Sequence, residues 1–240
     1  SGEGRMAEPE NIVAFLENDL LEKLPLKGKK ILITAGPTYE AIDPVRFIGN
    51  HSSGKMGFDI ANEAANKGAE VILVSGPTHL NVQNSSVKLI RVTSAQDMYD
   101  ACHEHYEKVD VAIAAAAVAD YRPKNVAHQK IKKNEATFSI ELEKTKDILA
   151  SLGEQKKKQF LIGFALETEN EIEHAKQKIQ KKNLDLIVLN SLNDKGAGFG
   201  LPTNKVTFIS KDFIVEPKEL KTKEEVAQDI INKVIQFYDA

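Results

Sequence analysis

The chain has no tryptophan and one cysteine, Cys102. A single thiol excludes an intrachain disulfide framework and a cysteine-built zinc cluster, and it fits a reducing, cytoplasmic setting. Neither sign of charge dominates: 32 basic residues stand against 35 acidic ones, a net charge of -3. Such a balance leaves no electrostatic footprint for nucleic acid or an anionic membrane surface, so any basic site must be local. Long hydrophobic runs are missing too. The longest, Val111 to Ala119 (VAIAAAAVA), lies between Asp110 and Asp120 and is too short to span a bilayer. The opening SGEGRMAEPE is polar, with no apolar core of a signal peptide.

Two phosphate-binding signatures are incomplete. IGNHSSGKMGF places Gly49, Gly54 and Lys55 as a P-loop would, but Met56 takes the position of the magnesium-binding hydroxyl. TAGPTYEAID offers one glycine where a dinucleotide fingerprint needs three, which speaks against a nicotinamide enzyme. A nucleophile elbow and a metal triad are also lacking. Cys102 reads as core packing, His51 as a hydrogen-bonding loop residue, and His103 and His105 as surface positions.

What is present is an alternation of short apolar runs and amphipathic stretches. KKILITAGPT, EVILVSGP, VKLIRVT, DVAIAAAAVA, FLIGFALET and LDLIVLN read as strands. SGKMGFDIANEAANKGAE, SAQDMYDACHEHYEK (capped by Thr93 or Ser94), NEIEHAKQKIQKK and KEEVAQDIINKVIQFY read as helices. Hydrophobicity that is continuous along the strands means that both sheet faces are covered. The expected class is therefore α/β: a Rossmann-like, mostly parallel sheet with helices on both faces. Residues 121–145 break the pattern, and alternation in TFSIELE suggests a small antiparallel excursion. GAGFGLPTNKVTFIS with FIVEP reads as a closing hairpin. The expected division is 1–28, a linker and the helix NIVAFLENDLLEKL from a longer parent, and 29–240, one domain.

In an open α/β sheet ligands bind beyond the strand carboxyl ends, here TAGPT, VSGPT, AAAVADYR, GFALET and LNSLND. Asp120 could hold a cation or a ribose hydroxyl there, against the alternative of ordinary turn chemistry. Ser52, Ser53 and Gly54 open a helix, whose free N–H groups favour an anion. Lys130, Lys132 and Lys133 form a local basic cluster, and Lys178 and Lys182 share one helix face. Both sets are either solvated surface or a polyphosphate site.

ITAGPTYEAIDPVRFIGNHSSGKMG, AAAVADYRP, KIKK, GFALETEN and KNLDLIVLN, in this order from about Lys29 onward, resemble the bacterial phosphopantothenate-cysteine ligase family. GRMAEP resembles the end of the flavin-dependent decarboxylase fused to that ligase in many bacteria. The resemblance implies the ligase half of a bifunctional protein, with FMN confined to the absent decarboxylase half. The implied reaction joins 4'-phosphopantothenate to L-cysteine, using CTP and Mg2+, through an acyl-cytidylate.

By motif, the resemblance gives Ala114, Ala115 and Ala116, Lys146, Asp147, Ile148 and Leu149, Phe164, Lys178 and Lys182 to the nucleotide. KTKDIL stands where the family often shows Asn-Pro-Asp. Asp120 would bind the metal with the nucleotide, and Lys130 would be catalytic. Asn50, also catalytic, would bind substrate with Ala117 and with Arg46 from the second subunit of a homodimer. The implied flap is KIKKNE. An NAD(P)-dependent oxidoreductase and a non-enzymatic nucleotide-binding module stand as alternatives.

Overall fold

The computed structural model describes residues 8–132, 137–167, 169–191 and 201–239. Lys133 of the basic cluster and the GAGFG part of the closing hairpin lie outside the described residues.

Strands β1 (Lys30–Ala35), β4 (Glu70–Ser75), β5 (Val87–Arg91), β6 (Val111–Ala114), β9 (Phe160–Glu167) and β10 (Leu186–Ser191) run parallel in one sheet. Antiparallel β12 (Val206–Ser210) and β13 (Val215–Pro217) close one edge, giving the order β13-β12-β10-β9-β6-β1-β4-β5. The hairpin expected near the end of the chain is this β12–β13 pair.

Alternate residues of the parallel strands feed two separate cores. Ile31 and Ile33 point to the face covered by α2 (Lys55–Asn66) and α6 (Lys223–Asp239), whereas Leu32 points to the face covered by α3 (Ala95–Tyr106), α4 (Ile148–Gln155) and α5 (Glu171–Lys181). Each fully buried aliphatic side chain of this kind stabilises the fold by about 1.5–3 kcal/mol. This double demand is why the strands are apolar without interruption. Ser94 caps α3 in a reciprocal capping box with Asp97.

Three two-stranded pairs lie outside the main sheet: β2 (Tyr39–Ala41) with β3 (Phe47–Gly49), β7 (Tyr121–Pro123) with β8 (Leu142–Lys144), and β11 (Thr203–Asn204) with β14 (Lys221–Thr222). The excursion is thus antiparallel as expected, but shorter than TFSIELE suggests. Within TFSIELE only the end enters a strand, Leu142–Lys144, which pairs with Tyr121–Pro123, and one further bond runs from Lys124 N–H to the Glu141 carbonyl at 3.0 Å.

Helix α1 (Pro9–Glu22) forms as expected and leaves Val13, Phe15, Leu16 and Leu20 exposed. No helix among the described residues is long and apolar enough to cross a membrane.

The turns after β1 and β4 approach so closely that a Cβ at Gly76 would lie 1.6 Å from the Pro37 carbonyl oxygen. Gly76→Ala is therefore expected to lower stability by about 3 kcal/mol, read as a fall in the urea midpoint. Cys102, on the inner face of α3, is fully buried, and burial pushes its thiol up to about 12. The buried, protonated thiol should resist iodoacetamide at pH 9 in the native protein and react once urea unfolds it. Above the ordinary thiol value the unfolded chain deprotonates first, so this group's contribution to stability falls as pH rises toward about 12.

Candidate functional site

Beyond β6 the chain stays extended from Ala115 to Ala119. Ala116 N–H donates to Thr34 Oγ1 at 3.2 Å, Ala117 N–H to the Gly36 carbonyl at 2.8 Å, and Ala119 N–H to Thr38 Oγ1 at 2.9 Å. Extended backbone sends successive side chains to opposite sides, and here it divides two adjoining clefts.

The larger cleft, about 500 Å³, is lined by Ala114, Ala116, Val118 and Asp120, with Lys146 to Leu149, Phe164 and Lys182 opposite. The smaller, about 200 Å³, is lined by Ala115 to Ala117 and the start of α2, with Asn190, Asn204 and Lys223. Ala116 and Phe164 line both. Both clefts open at the carboxyl ends of β1, β6 and β9, where an α/β sheet binds its ligands.

In the larger cleft Asp147 caps α4, its Oδ1 accepting from Ala150 N–H at 2.9 Å, and pairs with Lys182 at 2.8 Å. Burial acts to raise the Asp147 carboxyl, but the Lys182 and Ala150 hydrogen bonds prevail and lower it. Lys146 lies over the Tyr99 ring, 4.4 Å from its centroid. Tyr99 stacks on His103, whose Nε2 meets Ser151 Oγ at 3.2 Å in the first turn of α4. His103 is therefore a partnered residue between two helices, not the surface position expected. Helical spacing alone cannot show that α4 packs against that face.

In the smaller cleft Gly54, at φ +80°, starts α2, as expected for SSGK. Two of the early N–H groups are already engaged: Gly54 N–H with Ser52 Oγ at 3.2 Å and Lys55 N–H with Ser53 Oγ at 3.4 Å. Lys55 pairs with Glu224 at 2.8 Å and Asp59 at 3.0 Å. Burial opposes its charge, yet these two bonds outweigh burial and raise its pKa. Met56 packs partly against the core and partly lines the cleft.

The structure brings Ala114 to Ala117, Asp120, Lys146 to Leu149, Phe164 and Lys182 together. Asn50 lines neither cleft but is tied to the wall between them, its Nδ2 donating to the Val118 carbonyl at 2.9 Å. Lys178 does not line either cleft; its ammonium is paired with Glu167. Lys130 is exposed and lines neither. Arg46 pairs with buried Asp43 and donates to the Ile131 carbonyl at 2.9 Å.

Residues that the sequence reading missed are Thr34, Thr38, Asp43, Tyr99 and Lys223. Only Thr34, last but one in a strand, carried any positional signal. Among the described residues no three His, Cys, Asp or Glu side chains converge as a metal cluster. Asp120 offers a single exposed carboxylate on the larger cleft, a donor set that suits Mg2+ held mainly by phosphate oxygens and water.

Residues 26–238 match the family described as DNA/pantothenate metabolism flavoprotein C-terminal domain. The "Coenzyme A biosynthesis bifunctional protein CoaBC" of Bacillus subtilis (strain 168) is 46% identical over 97% of this chain and 58% of its own length. A relative from an unknown prokaryotic organism, named "Cysteine/Cysteine sulfinic acid decarboxylase", is 50% identical over 98% of this chain and 67% of its own. A crystal structure of the C-terminal domain of CoaBC is 51% identical, covers 90% of this chain and 99% of that one, and superposes with a TM-score of 0.78. Since the match takes in the whole sheet and both clefts, the chain belongs to the family of DNA/pantothenate metabolism flavoprotein C-terminal domains.

Proposed function

We propose that this chain is a phosphopantothenate-cysteine ligase, which joins 4'-phosphopantothenate to L-cysteine at the expense of CTP. The observation that carries this reading is the pair of adjoining clefts meeting at Ala116 and Phe164. A ligation needs a nucleotide and an acid side by side, with their reacting atoms at the junction. The substrate carboxylate attacks the α-phosphorus of CTP, the bond to pyrophosphate breaks, and an acyl-cytidylate forms. The cysteine amine then attacks the acyl carbon, and CMP leaves with the bonding electrons.

The protein's part is to position and to neutralise charge. Lys182 and Lys146 supply cations to the triphosphate, while Ala114 and Ala116, with methyl side chains, let the nucleotide approach the backbone. Lys130 is the cation for charge that develops on the phosphate. Asp120 would hold Mg2+, which when bound neutralises triphosphate charge. Asn50 orients the acyl group through an amide already fixed by the Val118 carbonyl. Exposed Val45, Phe47, Val126, Phe138 and Leu142 lie on or beside the β2–β3 and β7–β8 pairs and support a homodimer built there, with Arg46 at its edge. The helix α1, with its exposed apolar side chains, fits a junction to a decarboxylase half in a longer, cytoplasmic parent.

Pyrophosphate release with phosphopantothenate and Mg2+, comparing CTP with ATP and with or without cysteine, tests this directly. The expected result is CTP-dependent release that becomes multiple-turnover only with cysteine. No release with either nucleotide, or carbon dioxide from cysteine sulfinic acid instead, would overturn it. Lys130→Gln should cut turnover by about 100-fold with an unchanged circular dichroism spectrum. Asn50→Asp would set a carboxylate against the Val118 carbonyl; it should slow use of the acyl intermediate about tenfold while CTP affinity changes little.

A further inference from the structure

We infer that Asp43 is a positioning residue: its carboxylate ties the segment that carries Lys130 to the turn that carries Arg46. The inference rests on the role proposed for Lys130.

Asp43 lies in the turn between β2 and β3 and is 3% exposed. Its Oδ1 accepts from the N–H groups of Val45 at 2.8 Å and Arg46 at 2.9 Å, which closes the turn locally. Its Oδ2 accepts from Arg46 Nε at 3.0 Å and from the N–H of Ile131 at 3.1 Å, a residue 88 positions away. Arg46 Nη2, paired with the same carboxylate, donates to the Ile131 carbonyl. Both backbone polar groups of Ile131 thus end on one ion pair, and the next residue back is Lys130. A further tie runs from Ala127 N–H to the Ile42 carbonyl at 3.0 Å.

The turn itself is anchored to the main body. Tyr39 N–H donates to the Thr93 carbonyl at 2.8 Å, and the buried Glu40 carboxylate accepts from Ala95 N–H at 2.8 Å. Position therefore passes from the start of α3 through β2 and Asp43 to Ile131 and Lys130. Oδ1 closes the turn locally, while Oδ2 holds Arg46 and the distant segment together. The Arg46 guanidinium holds the Asp43 carboxyl well below the usual carboxylate range, so the tie persists at any pH where the protein works. Asparagine keeps the shape but turns an N–H2 toward groups that are themselves donors.

Four proteins decide the matter: Asp43→Asn, Asp43→Ser, Lys130→Gln and the double variant Asp43→Asn/Lys130→Gln. Serine keeps an acceptor for the turn and loses the reach to Ile131, so it guards against a failure of folding. Both Asp43 variants should lower kcat of CTP-dependent pyrophosphate release about tenfold, with KM for CTP within about twofold. The double variant should be no slower than Lys130→Gln alone. Tryptic cleavage after Lys130 and Lys132 should accelerate about fivefold in both Asp43 variants, with cleavage elsewhere unchanged. Losses that multiply in the double variant, or unchanged cleavage at those two lysines, would overturn the inference. Full activity in Lys130→Gln would instead remove the role given to that lysine, and the tryptic comparison would then decide alone whether Asp43 holds the segment.

Discussion

Three backbone N–H groups beyond β6 are taken by the end of β1 and the loop that follows it: by the hydroxyls of Thr34 and Thr38 and by the carbonyl of Gly36. Both threonines are buried, so their oxygens have no competing water, and the N–H groups they accept are donors that would otherwise be stranded. This stitching keeps Ala115 to Ala119 straight after the ladder ends. A straight segment is what separates the two clefts, and it fixes the Val118 carbonyl that Asn50 reads and the spot where Asp120 emerges.

Four cations in and around the site share one habit, while Lys146 instead lies over the Tyr99 ring. Lys55 faces Asp59 and Glu224, Lys182 faces Asp147, Lys178 faces Glu167, and Arg46 faces Asp43. A chain of slightly negative net charge can then offer cations to an anionic ligand without a basic surface. Any phosphate that enters competes with a carboxylate already in place. Selectivity comes from geometry, since a ligand must meet several such cations together to displace their partners.

The fold was legible because it rests on local pattern. Ile31, Leu32 and Ile33 in a row announce a strand covered on both sides, and Ser94 with Asp97 announces the start of α3. Much of the site was legible for a topological reason: the alanines and Asp120 follow β6, and Phe164 lies on β9 just past the level where β6 ends, so position in the fold follows from position in sequence. Pairings across the chain were not. Nothing near Asp43 points to Ile131, nothing in SAQDMYDACHEH reveals that Tyr99 and His103 meet α4, and Lys178 carries no mark of its partner Glu167. TFSIELE misled in the other direction, since alternation reports which residues could form a strand and not how long a partner is available.

The alternation after β6 also constrains how this part of the chain can change length. Ala115 and Ala117 belong to one cleft and Ala114, Val118 and Asp120 to the other, so parity along the segment is the address of each side chain. Substitutions adjust a single compartment, except at Ala116, which borders both. A one-residue insertion or deletion would exchange the addresses wholesale and turn Asp120 away from the larger cleft. The run of alanines is thus constrained in length as well as in side-chain size, because each position's side is set by its count from the end of β6.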